Sequence, residues 1–141
     1  MGVTIESKNE SGDLGYFGFN RLRMKVAELC DKELAEHYER LNNSLALSGN
    51  KRKMFFESYN KKIAEIVDKN NIVHAIPNFI YASDCGGKVS SEQCKQIYEI
   101  VKDYDDEISY GYSGRPDRFM FSDFKDILKD CVENKCDMEW F

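Results

Sequence analysis

Leu22, Val26, Leu29, Cys30, Leu34, Tyr38 and Leu41 recur at three- and four-residue steps. That spacing lines them along one face of a helix. It predicts a single long helix from about Asn20, which can cap it, to Asn42. The far face carries Lys25, Glu28, Lys32, Glu36 and Arg40, with favourable pairs four residues apart. A second helix is expected over 51–69, burying Phe55, Phe56, Tyr59, Ile63, Ile66 and Val67, and Asn70-Asn71 ends it. A short third helix should begin near Pro77, because proline suits the first helical turn. A fourth spans about 91–104. Ser90 caps it and Gln93 completes a capping box, while Cys94, Ile97, Val101 and Tyr104 face inward. Ser122 is placed to cap a fifth over 123–134, with Phe124, Ile127, Leu128, Cys131 and Val132 inside.

Strand-like alternation is confined to short pieces. Val3–Glu6 alternates apolar and polar, and Met138–Phe141 is a short apolar end that could pair with it or with 108–112. The stretch 108–121 has strand-like aromatic ends around the turn Ser113-Gly-Arg-Pro-Asp117. Asn9–Asp13 reads as a polar loop, and Leu14–Phe19 as an aromatic cover over one end of the core. The pattern predicts a mainly α fold of about five helices in a single domain, 1–141. Short β segments are expected near the termini and around 108–121.

The segment 77–104 reads as an EF-hand-like helix–turn–helix. If Gly87 takes the sixth loop position, Val89 falls on the eighth, where an aliphatic residue belongs. The ligand positions are then Ala82, Asp84, Gly86 and Gln93, which supply one carboxylate. A calcium loop needs several, including a bidentate Glu in the last position. The turn is therefore expected to be structural and to hold no calcium.

Composition narrows the function classes. The 141 residues are 42% hydrophobic and 32% charged, enough apolar content for a core and too much for a disordered chain. Net charge is −5 and uneven: residues 1–70 hold 12 cations against 11 acids, residues 71–141 hold 8 against 14. An acidic second half disfavours nucleic acid, whose phosphates require cations. No apolar run is long enough to span a bilayer. Five cysteines without a CxxC pair, and no signal peptide, point to reduced thiols in a cytoplasm.

Candidate chemistry is sparse. Cys30, Cys85, Cys94, Cys131, Cys136, His37 and His74 lack the paired spacing of a zinc site, and no nucleophile–base signature or phosphate-cradling glycine motif occurs. No catalytic, cofactor or metal residue is assigned. His37 reads as a boundary residue with a local hydrogen bond. Lys51, Arg52, Lys53, Lys61 and Lys62 make the most basic surface, open to a phosphate or an acidic partner or simply solvated. The candidate binding surface is the loop holding Tyr110, Tyr112, Arg115, Asp117 and Arg118, flanked by the acids Asp103, Asp105 and Asp106. Tyrosine and arginine dominate interface hot spots, and arginine grips carboxylate or phosphate bidentately.

GYFGFNRLRMKVAEL near the start, with IYASDCGGKVSSEQCKQIYEIVKDYDD and GYSGRPDRFMFSDFKDILKDCVENKC later, resembles small uncharacterised phage and prophage proteins of Gram-positive bacteria. The resemblance carries no known activity and transfers no functional residue. It implies a bacterial cytoplasm and an accessory or host-interaction role, including anti-defence. The expectation is a non-enzymatic interaction protein with a protein partner, acting by surface binding. The alternative is a protein that binds or sequesters a small anionic, nucleotide-like ligand through Arg115 and Arg118; an enzyme of unassigned type, for which no constellation of residues speaks, is the third.

Overall fold

The structure is a computed structural model and describes residues 2–105, 107–111 and 119–141. It is mainly α, with six α-helices and a four-stranded antiparallel sheet among the described residues. The order along the chain is β1 (Val3–Glu6), β2 (Ser11–Leu14), α1 (Tyr16–Cys30) and α2 (Lys32–Glu39). A 3-10 segment (Arg40–Ala46) leads into α3 (Gly49–Lys69) and α4 (Ala75–Ile80). Then come β3 (Gly87–Val89), α5 (Ser91–Val101), α6 (Phe121–Asn134) and β4 (Met138–Trp140). Among the described residues no helix is long and apolar enough to cross a membrane.

The strand order is β2-β1-β4-β3. Of the two pairings open to the C-terminal segment, the one with β1 is present, with Ile5 opposite Trp140 and Glu6 opposite Glu139. Alternation turns Val3, Ile5, Met138 and Trp140 into the core and leaves Glu139 in water. One strand departs from expectation, and one falls where the sequence suggests an extended step at Lys88–Val89. Ser11–Leu14, read as loop, pairs with β1, because Leu14 alone supplies its inward contact. Gly87–Val89 pairs with β4, placing Val89 opposite Met138. Around 108–121 the β structure is a single bridge, Ser109 to Met120.

The long first helix is two helices. It starts four residues early at Tyr16, absorbing the aromatic stretch, and stops at Asp31, whose backbone is extended. The Asp31 carboxylate accepts from the Leu34 amide at 2.9 Å, capping α2. Asn70, at the end of α3, donates to Asp31 at 3.1 Å and to Glu33 at 2.9 Å, which holds the break in place. Asn20 is not a cap. It accepts the Tyr38 hydroxyl at 2.7 Å, showing that α2 folds back along α1. The fifth predicted helix likewise starts early, at Phe121, with Asp123 accepting from the Met120 amide at 2.7 Å.

The helix–turn–helix of α4, β3 and α5 is built on Trp140. The indole Nε1 donates to the Ser83 carbonyl at 2.8 Å. Gly87 lies so close to the ring that a Cβ there would sit 2.4 Å from Trp140 Cζ2. Gly87 does not adopt positive φ, so close approach is what it supplies. The expected capping box is present: Ser90 accepts from the Gln93 amide and Gln93 accepts from the Ser90 amide, each at 3.2 Å. Arg23 on α1 reaches the same carbonyl at 3.4 Å and lies over Phe19 at 4.1 Å, with Phe79 and Trp140 beyond. Burial pulls its pKa below the usual value, while Tyr38 and Asp84 oppose that.

The hairpin tip is fixed to α6 by Asp130. Its carboxylate accepts from Ser7 Oγ at 2.5 Å, the Asn9 amide at 2.7 Å and Asn134 Nδ2 at 2.6 Å. These bonds hold its pKa down at about 2. The five cysteines are free thiols. Cys94 and Cys131 are buried, and their contact with each other, with burial, pushes the Cys131 thiol up.

Candidate binding surface

Of the loop that the sequence singles out, Tyr112, Arg115, Asp117 and Arg118, together with Asp106, lie outside the described residues. Asp103 and Asp105 are exposed just beyond α5. Tyr110, expected as a surface contact, is instead buried at 3% exposure. Its ring lies 6.2 Å from Phe121 and 5.2 Å from the Arg21 guanidinium, and its amide donates to the Phe119 carbonyl at 2.6 Å. Its own carbonyl packs against Gly18 so tightly that a Cβ there would lie 1.6 Å away. An aromatic ring flanked by apolar neighbours gains more from burial than from solvent. Tyr110 is therefore the root of the segment. Among the predicted patch residues, the structure brings together only the exposed acids.

A second surface is built by α3. Its C-terminal half is anchored, with Ile66 and Val67 buried and Lys69 paired to Glu33 at 2.9 Å. Midway, Tyr59 is locked to α2 by a reciprocal pair. His37 Nε2 donates to the Tyr59 carbonyl at 3.0 Å, and the Tyr59 hydroxyl donates to the His37 carbonyl at 2.6 Å. The two rings stack at 3.8 Å and 17°. Tyr81 then donates its hydroxyl to Tyr59 at 3.1 Å. The N-terminal half of α3 is not covered in the same way. Phe55 and Phe56, expected inside, are only half-buried, and Met54 is 68% exposed. Arg52 donates to the Ser44 carbonyl at 2.8 Å and lies over the Phe56 ring at 5.0 Å. This clamps α3 to the 3-10 segment, where neighbouring Leu45 is 81% exposed.

Charge follows the same geography. Residues 49–62 hold Lys51, Arg52, Lys53, Lys61 and Lys62 against Glu57 alone. Where α2, the 3-10 segment and α3 meet, a cleft of about 290 Å³ is lined by His37, Arg40, Asn43, Phe55, Ser58, Tyr59 and Lys62. Burial lowers the His37 pKa, the Arg40 and Lys62 charges lower it further, and the Tyr59 carbonyl and Glu33 act the other way. With Nε2 donating, a neutral His37 leaves Nδ1 a bare acceptor, buried and without a partner. Among the described residues no cluster of His, Cys, Asp and Glu could hold a metal ion.

The sequence signals part of this surface, in the basic residues around 51–53 and 61–62. It does not signal the His37–Tyr59 stack, which joins residues 22 apart in the chain. Leu45 also escapes notice, because nothing in the run Leu45-Ala-Leu47 says which of its leucines faces water. Comparison of the chain with family models, curated proteins and solved structures finds no match.

Proposed function

We propose that this is a non-enzymatic interaction protein whose 3-10–α3 face docks an acidic, partly apolar segment of a partner protein. The observation that carries the reading is Met54, 68% exposed, beside Lys51 and Lys53 on a helix that Arg52 clamps to the Ser44 carbonyl, next to the exposed Leu45. Large apolar side chains held rigidly in water and rimmed by charge mark docking surfaces. The rim is cationic, so the complementary segment is acidic, and charge steers its approach. The bacterial cytoplasm and the phage or prophage accessory role implied by the sequence resemblance belong to the same proposal.

The test compares purified variants as bait for the same identified host partner. Met54→Glu with Leu45→Ser is expected to lose it, and Lys51→Glu with Lys53→Glu to weaken it in a salt-dependent way. Phe17→Ser removes an exposed apolar side chain elsewhere, 89% accessible on α1, and is expected to retain the partner. Equal capture by all of these variants would overturn the assignment.

A further inference from the structure

We propose that the cleft between α2 and α3 is a binding site for a small aromatic phosphomonoester of nucleoside monophosphate size. Arg40 and Lys62 would hold its anion, and Phe55 its flat ring. The lining contains two cations, the hydroxyl of Ser58 and the amide of Asn43, and no carboxylate. Arg40 is exposed, and its guanidinium makes no hydrogen bond or ion pair among the described residues. The ion pair of Lys62 is with Glu65 on its own helix, at 3.9 Å. Both cations are therefore open to an incoming anion, and arginine's planar fork matches a phosphate's oxygens.

Three near-parallel rings give the site its second element. His37 stacks on Tyr59 at 3.8 Å and 17°, and Phe55 continues the column at 5.6 Å and 25°. Phe55 is half-exposed, with the Phe56 ring perpendicular to it at 5.4 Å. A planar ligand ring adds the next layer, at roughly 1–3 kcal/mol for a base stacked on an aromatic side chain. The volume of about 290 Å³ falls just under the roughly 300–1,000 Å³ of ligand clefts, so the site favours a small ligand over a triphosphate or dinucleotide.

His37 reports on occupancy. Arg40 and Lys62 disfavour its protonation, with burial, against the Tyr59 carbonyl and Glu33. An anion that neutralises the two cations relieves that pressure, so binding raises the His37 pKa. The docking face uses Leu45, Lys51, Lys53 and Met54, none of which lines this cleft, so the two readings fail separately.

The experiment titrates the full chain with AMP, adenosine and inorganic phosphate, each by calorimetry and by NMR of the His37 imidazole. Saturable AMP binding is expected, with adenosine and phosphate each weaker and the His37 pKa raised by AMP. Arg40→Ala and Lys62→Ala should each weaken AMP roughly tenfold, the usual scale for one charge-assisted hydrogen bond, while the thermal midpoints stay near wild type. Absence of saturable AMP binding, or AMP binding that both variants leave intact, or an unmoved His37, would overturn the site.

Discussion

Gly87→Ala isolates the contact on which the helix–turn–helix is built. The new methyl would sit 2.4 Å from Trp140 Cζ2 and 2.7 Å from Cε2. That is roughly 1 Å or more inside the 3.5–4.0 Å optimum for carbon pairs. The indole cannot retreat freely. Its Nε1 is committed to Ser83, and Phe79 and Phe19 flank it at 5.5 and 6.0 Å. Overpacking a well-filled core costs about 1–3 kcal/mol, and loss of the indole hydrogen bond adds about 1 kcal/mol. Alanine's lower chain entropy returns about 0.5–1 kcal/mol. The net is a loss of about 1–3 kcal/mol, or a midpoint lower by roughly 4–10 °C for a chain this size. Gly86→Ala is the control. Its Cβ would meet nothing closer than the Trp140 carbonyl oxygen at 3.9 Å, and its φ is not positive, so it should be neutral or slightly stabilising. Trp140 is the sole tryptophan, so urea unfolding followed by its fluorescence reads both variants directly. A harmless Gly87→Ala beside a damaging Gly86→Ala would refute the reasoning.

Asp130 gives a pH prediction. Its pKa is about 2 in the fold against an ordinary value of 3.8, so its stabilisation is complete above about pH 4 and is lost as pH falls towards 2. Acid unfolding of Asp130→Asn should lack that limb, and an unchanged acid profile would contradict the assignment. Arg23 is buried with its Nε unpartnered, so a guanidinium there is weakly compensated. Arg23→Met should match wild type within about 1 kcal/mol, because it keeps the packing, whereas Arg23→Ala should lose roughly 2–4 kcal/mol by opening a cavity. Both are read by denaturant midpoint, and equal large losses would show that the charge itself is required. Gly18→Ala would ordinarily favour a helix by about 1 kcal/mol. Here its Cβ would strike the Tyr110 carbonyl, so a lower melting temperature is expected.

Local signals were legible where partner and periodicity lie close in the chain. Ser90 and Gln93 specify the start of α5 within four residues, and Val3–Glu6 shows its alternation directly. The break at Asp31 was hidden because the apolar spacing runs on through Leu29, Cys30, Leu34 and Tyr38. What fixes it is Asn70, 39 residues away. β2 was illegible because one leucine carries its burial. The sequence places Gly87 at the turn of a calcium-loop pattern, yet its requirement comes from Trp140 at the far end of the chain. The candidate surface divides the same way. Its cations are visible as composition, but the exposure of Met54 and Leu45 and the His37–Tyr59 stack depend on how α2 and α3 meet.

The most direct test of function at the 3-10–α3 face is amide hydrogen exchange of the protein with and without its identified partner. Protection is expected in peptides spanning 44–62, with 103–111 unchanged. Protection confined to 103–111, with 44–62 exchanging as in the free protein, would contradict it and return function to the segment rooted at Tyr110.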